Sequence, residues 1–167
     1  MTRFTGVIVG TVQDVNDPNG LGRIRVEFPW MGGASQSHWA PVAAGMAGGG
    51  RGMFFMPEVG DEALVAFDHG DVDQAIVLGF LWNGRDLPPS KNVHERAIRS
   101  VNGHTIRFLD STPDGGNLGG IVIEDGHHNR IVLSNAKITI QSTAVLDLRA
   151  PTILINGRVV TPNSNPI

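Results

Sequence analysis

The sequence predicts an all-β fold in two parts, a small closed or partly open barrel over residues 1–90 and a second β-structured region over 91–167. Three observations carry this. The 167 residues include 22 glycines and 10 prolines, a density of punctuation that suits short strands and tight turns and disfavours helices, where each interior Gly costs about 1 kcal/mol against Ala. Apolar and polar residues alternate with period 2 in several segments. Turn dipeptides such as Asn102-Gly103 and Asp125-Gly126 lie between the alternating segments.

In chain order, Phe4–Val12 is apolar and β-branched and ends at the turn-rich stretch Asp14–Gly20. Within that stretch Asp17-Pro18-Asn19-Gly20 has the chemistry of a tight turn. Leu21–Phe28 sets Ile24, Val26 and Phe28 against Arg23, Arg25 and Glu27. His38–Ala43 is a third strand, Gly45–Gly52 reads as a flexible glycine-rich loop, and Glu62–Phe67 and Ala75–Trp82 are the fourth and fifth strands. Five strands in this length suit a small barrel. The run Asp86-Leu87-Pro88-Pro89-Ser90 cannot donate ladder hydrogen bonds at its prolines and marks the boundary.

Beyond it, Ala97–Val101 and His104–Asp110 form one expected hairpin, and Ile121–Glu124 and Arg130–Ser134 a second. An apolar-x-apolar triplet then recurs at Ile121/Ile123, Ile131/Leu133, Ile138/Ile140, Leu146/Leu148 and Ile153/Ile155, with Thr139 and Asp147 among the intervening residues. Each strand has two inward side chains and a polar other face, so one chain of them has little to pack against. Three chains meeting at an axis supply a dry core from those ten residues; a monomeric antiparallel sheet continuing the barrel is the alternative on periodicity alone.

Several kinds of chemistry are excluded or disfavoured. No cysteine is present, which removes disulfides, thiolate metal sites and thiol nucleophiles. The net charge of -3 divides into -5 over residues 1–90 and +2 over 91–167, and an acidic barrel is a poor partner for nucleic acid. The glycine-rich stretch at 45–52 lacks the Lys-Ser/Thr of a phosphate loop. Glu58, Asp61 and Glu62 read as turn acids rather than a glycosidase pair, and Asp68, Asp71 and Asp73 as a solvated turn rather than a calcium loop. Of the histidines His38, His69, His94, His104, His127 and His128, only the adjacent His127 and His128 are weak metal candidates, through repetition about a threefold axis. Trp30, Trp39 and Trp82 lie at strand ends, where packing and ligand stacking are both open. No cofactor is expected. The start Met1–Gly6 lacks an apolar leader, and no apolar run nears the ~18 residues of a spanning helix, so assembly in the cytoplasm is expected.

Three segments carry a family resemblance. Gly20-Leu-Gly-Arg-Ile-Arg-Val-Glu-Phe-Pro-Trp30, Pro57-Glu-Val-Gly-Asp-Glu-Ala-Leu-Val-Ala-Phe67 with Gly70-Asp71, and Ala75-Ile-Val-Leu-Gly-Phe-Leu-Trp-Asn83 with Pro88-Pro89 resemble, in order and spacing, phage baseplate assembly protein V and the VgrG-type OB domain. Asn102–Ile106 and Ile121–Asp125 resemble the region that follows. The resemblance implies an OB-type barrel over 1–90 and a trimeric intertwined β-helix or β-prism over 91–167. The implied function is that of a non-enzymatic central spike of a contractile injection machine: a phage tail, a tailocin, a type VI apparatus or an extracellular injection system. It further implies a hub or baseplate protein at the OB end, transient contact with a target membrane, and a place in a virion or injection particle. Trp82 to Ala97 leaves no room for an inserted lysozyme domain, and Thr161–Ile167 contains no histidine, so a separate PAAR-type tip protein is expected. The competing reading is an OB module that binds glycan or single-stranded nucleic acid.

Overall fold

The computed structural model of the chain describes residues 4–31, 37–111 and 119–160. These fall into two compact units, Met1–Pro88 and Pro89–Ile167, and every regular element is a strand apart from two single 3-10 turns at Pro29–Met31 and Asp68–Gly70.

In the first unit the strands are β1 (Val7–Asp14), β2 (Arg23–Glu27), β3 (Ala40–Pro41), β4 (Ala47–Gly48), β5 (Arg51–Gly52), β6 (Glu62–Phe67) and β7 (Ala75–Leu81). Five of them form one antiparallel sheet in the order β3-β2-β1-β6-β7. The sheet curls until its edges meet: Val42, just past β3, forms a parallel bridge with Val77 of β7, and the Ala43 amide donates to the Val77 carbonyl at 2.8 Å. Alternation then decides what lies inside. Val12, Ile24, Val26, Phe28, Ala63, Val65, Phe67 and Val77 fill the interior and are buried, whereas Arg23, Arg25 and Glu27 alternate with them and point outward.

Boundaries differ from the sequence expectation for local reasons. Strand β1 starts after Gly6, whose φ is +94°, so Phe4 leaves the ladder and packs its ring on Trp30 and Phe67. It continues to Asp14 because that residue pairs with Arg25 across a bulge. Strand β3 shrinks to two residues at Pro41, which has no amide to donate. Gly45–Gly52 is not a free loop. It folds as the β4–β5 hairpin, with Ala47 opposite Gly52 and Gly48 opposite Arg51, and with Met53 donating to the Met46 carbonyl at 2.9 Å. Composition suggested mobility; the close pairing of small residues produced a strand pair.

The turn between β1 and β2 is organised by one carboxylate. Asp17 accepts from the Asn19, Leu21 and Arg23 amides and from the Arg23 guanidinium through both its oxygens, at 2.9 and 2.8 Å. The bidentate Arg23 bond above all holds the Asp17 carboxyl far below the ordinary carboxylate range.

The second unit holds β8 (Glu95–Arg99), β9 (Thr105–Leu109), β10 (Gly120–Glu124), β11 (Arg130–Ser134) and β12 (Lys137–Gln141), paired antiparallel in the order β12-β11-β10-β9-β8. A two-residue pair follows, β13 (Leu154–Ile155) with β14 (Arg158–Val159). The described residues of the second unit in one chain thus form an antiparallel meander; the intertwined β-helix or β-prism expected for 91–167 is not shown by it, and the triplet Leu146/Leu148 lies in no strand. The reason is local. Ser142 and Thr143 are tied to the Asn129 side chain, and Ser142 Oγ also donates to the Val145 carbonyl, which turns the chain just after β12. Thr161–Ile167 lies outside the described residues.

Two predictions follow from the barrel. A Cβ on Gly10 would sit 2.4 Å from Val26 Cγ1 and 2.6 Å from the Glu27 carbonyl oxygen, so Gly10→Ala will destabilise the first unit by about 1–3 kcal/mol, read as a lowered urea midpoint. Because the Asp17 pKa is lowered on folding, its contribution is fully present above the unfolded value of about 4 and is lost as pH falls below it toward the folded one. Acid titration of stability will therefore be shallower in Asp17→Asn than in the parent chain, and the variant will be less stable at neutral pH.

Candidate functional site: an open apolar sheet face

In the β8–β12 sheet, side chains of alternate residues emerge on opposite faces, and the register aligns like with like. On one face Ile98, Ile106, Ile123, Ile131 and Ile140 stand directly opposite one another across all five strands. Beside this row run Phe108, Ile121, Leu133 and Ile138, with Arg96 at the β8 end. Cross-strand β-branched and aromatic neighbours of this kind are the stabilising unit of a sheet. None of the nine apolar side chains is covered: their exposures run from 37% at Ile121 to 69% at Ile138, against 0% for Val12, Ile24 and Val65 in the barrel core. Monomeric proteins seldom leave so large a contiguous apolar patch in water.

The reverse face is polar and largely paired within the chain. Its central row is Ala97, Arg107, Val122, Val132 and Thr139, with Val122 only 7% exposed. Arg107 pairs with Glu124 at 3.1 Å and reaches Glu95 at 4.0 Å. Glu95 also accepts from Ser90 Oγ at 2.8 Å, and Arg130 Nε donates to Gln141 at 3.0 Å. Glu124 Oε1 meets His128 Nδ1 at 2.9 Å. That hydrogen bond first, and the Arg107 charge after it, hold the Glu124 carboxyl below its ordinary value against the opposing effect of burial. Asp125 shapes the β10–β11 turn by accepting from the His127 and Asn129 amides and the Asn129 side chain at 2.8–2.9 Å, and the Asn129 side chain chiefly lowers its pKa.

Of the ten residues expected at a shared core, Ile121, Ile123, Ile131, Leu133, Ile138 and Ile140 come together on the open face. Leu146 joins them from outside the sheet: with Val145 it flanks a groove of about 730 Å³ whose wall includes Ile98, Ile106, Ile131 and Ile140. Leu148, Ile153 and Ile155 are not part of the sheet; Ile155 belongs to β13 and Ile153 precedes it. Ile98, Ile106 and Phe108 were missed. Their signal was the period-2 apolar spacing of Ile106 and Phe108 around Arg107, which had been read only as half of a hairpin.

The remaining candidates resolve as structure. Asp61 accepts from the Glu58 amide at 2.9 Å and Asp71 from the Asp73 amide at 3.0 Å, so both acidic groups shape turns. Trp30 packs on Phe4 and Phe28, Trp39 lies under the Arg25 guanidinium at 4.8 Å, and Trp82 is exposed. His127 and His128 sit in the β10–β11 turn, and among the described residues no group of three or more His, Cys, Asp or Glu is placed to hold a metal ion. No helix among the described residues is long and apolar enough to cross a membrane.

Known proteins share this chain's sequence in both units. Residues 8–82 match the family described as the type VI secretion system/phage-baseplate injector OB domain. The chain is 37% identical over 89 residues to the type VI secretion system spike protein VgrG4b of Pseudomonas aeruginosa, covering 51% of this chain and 11% of that protein. It is 34% identical over 125 residues to spike protein VgrG5 of the same species, covering 72% of this chain and 15% of the relative. It is 36% identical over 72 residues to the actin cross-linking toxin VgrG1 of Vibrio cholerae, covering 41% of this chain and 7% of the toxin. The chain thus spans less than a sixth of the length of these curated relatives. The VgrG5 similarity covers more of the chain than the first unit contains, so it reaches the β8–β12 region as well. Residues 8–82 thus belong to the type VI/phage-baseplate injector OB-domain family, and the similarity to VgrG-type spike proteins continues past that domain.

Proposed function

We propose that this chain is a structural spike component of a contractile injection machine, and that it works as a homotrimer whose second units cover one another's open faces. The observation that supports this is the pair of in-register apolar rows that, among the described residues, no strand covers. Fully burying one such side chain is worth roughly 1.5–3 kcal/mol. Three copies around an axis give every face a partner of identical composition and leave the salt-bridged reverse faces to water. Residues Leu146, Leu148, Ile153 and Ile155 would extend the same core beyond the sheet once neighbouring chains supply strand partners for them.

In this reading the spike contributes stiffness. Sheath contraction supplies energy, and a trimer of sheets held by backbone ladders and a dry core carries the load to a narrow tip at the target envelope. A hub or baseplate protein holds the OB unit, a PAAR-type protein caps the tip, and contact with the target membrane is transient. No catalytic step or cofactor belongs to the reading. The actin cross-linking named for one relative is a property of that protein, of which this chain matches 7%.

Light scattering after size exclusion tests the proposal. The chain has a mass of 17.8 kDa, and the expected particle is three times that; a monodisperse 17.8 kDa species would remove the basis of the reading. Ile140→Asp places three carboxylates in the dry core, where an unpaired charge costs several kcal/mol, and will abolish the trimer. Lys137→Asp, on the opposite face of the same strand, will leave it assembled. A trimer that tolerates Ile140→Asp as readily would show that the open face points elsewhere.

A further inference from the structure

Two features lie outside the sheet face. In the first unit the β4–β5 hairpin walls an open cleft of about 920 Å³, lined by Met46, Met53, Phe54, Phe55 and Phe80 with Arg51 as its one charged residue. The second feature carries chemistry. The chain has four Asn-Gly pairs, beginning at Asn19, Asn83, Asn102 and Asn156. In such a pair the glycine amide nitrogen can attack the asparagine side-chain carbonyl carbon, since the glycine has no Cβ to block the approach. All four share that intrinsic reactivity. They differ in how firmly the surrounding bonds hold the two reacting groups.

Three pairs are held. The Gly20 amide donates to the Asp17 carbonyl at 3.0 Å, and Asp17 Oδ1 accepts from the Asn19 amide at 3.0 Å. The Asn83 side chain is fixed at both ends: its oxygen accepts from the Arg85 and Asp86 amides at 2.8 and 2.7 Å, and its nitrogen donates to Asp86 at 3.3 Å. The Gly103 amide donates to the Ser100 carbonyl at 3.0 Å. The Asn102 carbonyl oxygen also lies so close to Gly126 that a Cβ there would stand 2.6 Å from it, so the β8–β9 turn is packed against its neighbour.

The fourth pair is not held. Asn156 and Gly157 join β13 to β14 with φ of +49° and +77°, the two positive angles of a tight hairpin turn. Both are exposed. Among the described residues neither the Asn156 side chain nor the Gly157 amide makes a hydrogen bond. The strands they join are two residues each and pair only with one another, and a lone two-stranded pair is marginally stable. Local opening, which frees the turn to reach the geometry of attack, is therefore easiest here.

We propose that Asn156-Gly157 is a self-modification site. The Gly157 nitrogen bonds to Asn156 Cγ, the side-chain amide leaves as ammonia with the Gly157 proton, and a five-membered succinimide closes. Water then opens the ring at one of its two carbonyls, which leaves an aspartate or an isoaspartate. The isoaspartate carries an extra methylene in the main chain, which a two-residue turn cannot absorb while Ile155 stays opposite Arg158. Modification thus unlatches β13 from β14, including the bond from the Val160 amide to the Ile153 carbonyl at 2.8 Å.

The test is incubation of the folded full chain at mildly alkaline pH, with mass-spectrometric peptide mapping that separates aspartate from isoaspartate. Exchange of NH2 for OH adds about 1 Da, and it is expected at Asn156 at least about tenfold faster than at each of the other three sites. In guanidinium chloride all four will react at similar rates. A folded chain in which Asn156 reacts no faster than Asn102, or is spared until the chain is unfolded, overturns the proposal. Hydrogen exchange at the Val160 amide will rise with the modified fraction in the parent and stay constant in Asn156→Gln, whose longer arm disfavours ring closure. Constant exchange in a modified parent overturns the unlatching.

Discussion

A β-sheet with one dry face must have something laid over that face, and this requirement governs the second unit. Its five strands are as many as the barrel sheet has, yet the two sheets meet the requirement differently. The barrel sheet closes on itself through Val42 and Val77, so a single chain encloses Ile24, Val26, Phe28 and Val65 without help. The β8–β12 meander has separate edges. Its apolar rows face outward with no element of the unit across them except the short stretch that brings Leu146 beside the groove. The fold of one unit is therefore self-sufficient, and that of the other leaves an apolar face uncovered among the described residues.

The asymmetry between the two faces of that sheet strengthens the point. The reverse face carries most of the charges, and several are paired: Arg107 with Glu124 and Glu95, and Glu124 with His128, while Arg130 donates to the neutral Gln141. Ion pairs at a partly exposed surface add little net stability each, but they satisfy most of the carboxylates on that face, while Arg107 Nε is buried without a hydrogen-bond partner. The other face has only Arg96, at its margin and paired with Asp110. A sheet that were simply marginal would be patchy on both sides. This one is largely paired on one side and consistently apolar and exposed on the other.

Much of this was legible in the residues, and the parts that were not share a cause. Glu62–Phe67 was read with its observed limits because its apolar side chains alternate without interruption and a Gly-Asp turn precedes it. Strand pairs around Asn102-Gly103 and Asp125-Gly126 were likewise readable from turn chemistry. Register was not: nothing in the sequence says that Ile98 stands beside Ile106 and Ile106 beside Ile123, and without register the two hairpins and the triplets could not be seen as one surface. Leu146/Leu148 had the right spacing but no neighbouring strand, since side-chain hydrogen bonds from Ser142 to Asn129 redirect the chain first. The Met/Phe cleft escaped because its wall was taken for a mobile glycine-rich loop. Only pairing of Ala47 with Gly52 and Gly48 with Arg51 aligns those residues, and composition does not encode it.

The two apolar surfaces also differ in the kind of side chain they present, and the difference bears on what each can do. The sheet face is mostly isoleucine, β-branched and held to few rotamers, set in straight rows on a hydrogen-bonded ladder. Such a surface complements a second rigid surface of matching shape and rejects others, which suits a contact made once during assembly and kept under load. The cleft offers methionine, phenylalanine and bare glycine backbone around Arg51, which forms no ion pair with any described residue. Thioethers repack at little cost, and a lone Arg51 confers orientation through charge rather than through shape. A surface of that composition adapts to the shape of whatever is laid against it. Rigid rows and adaptable rings are thus kept on different units of the chain.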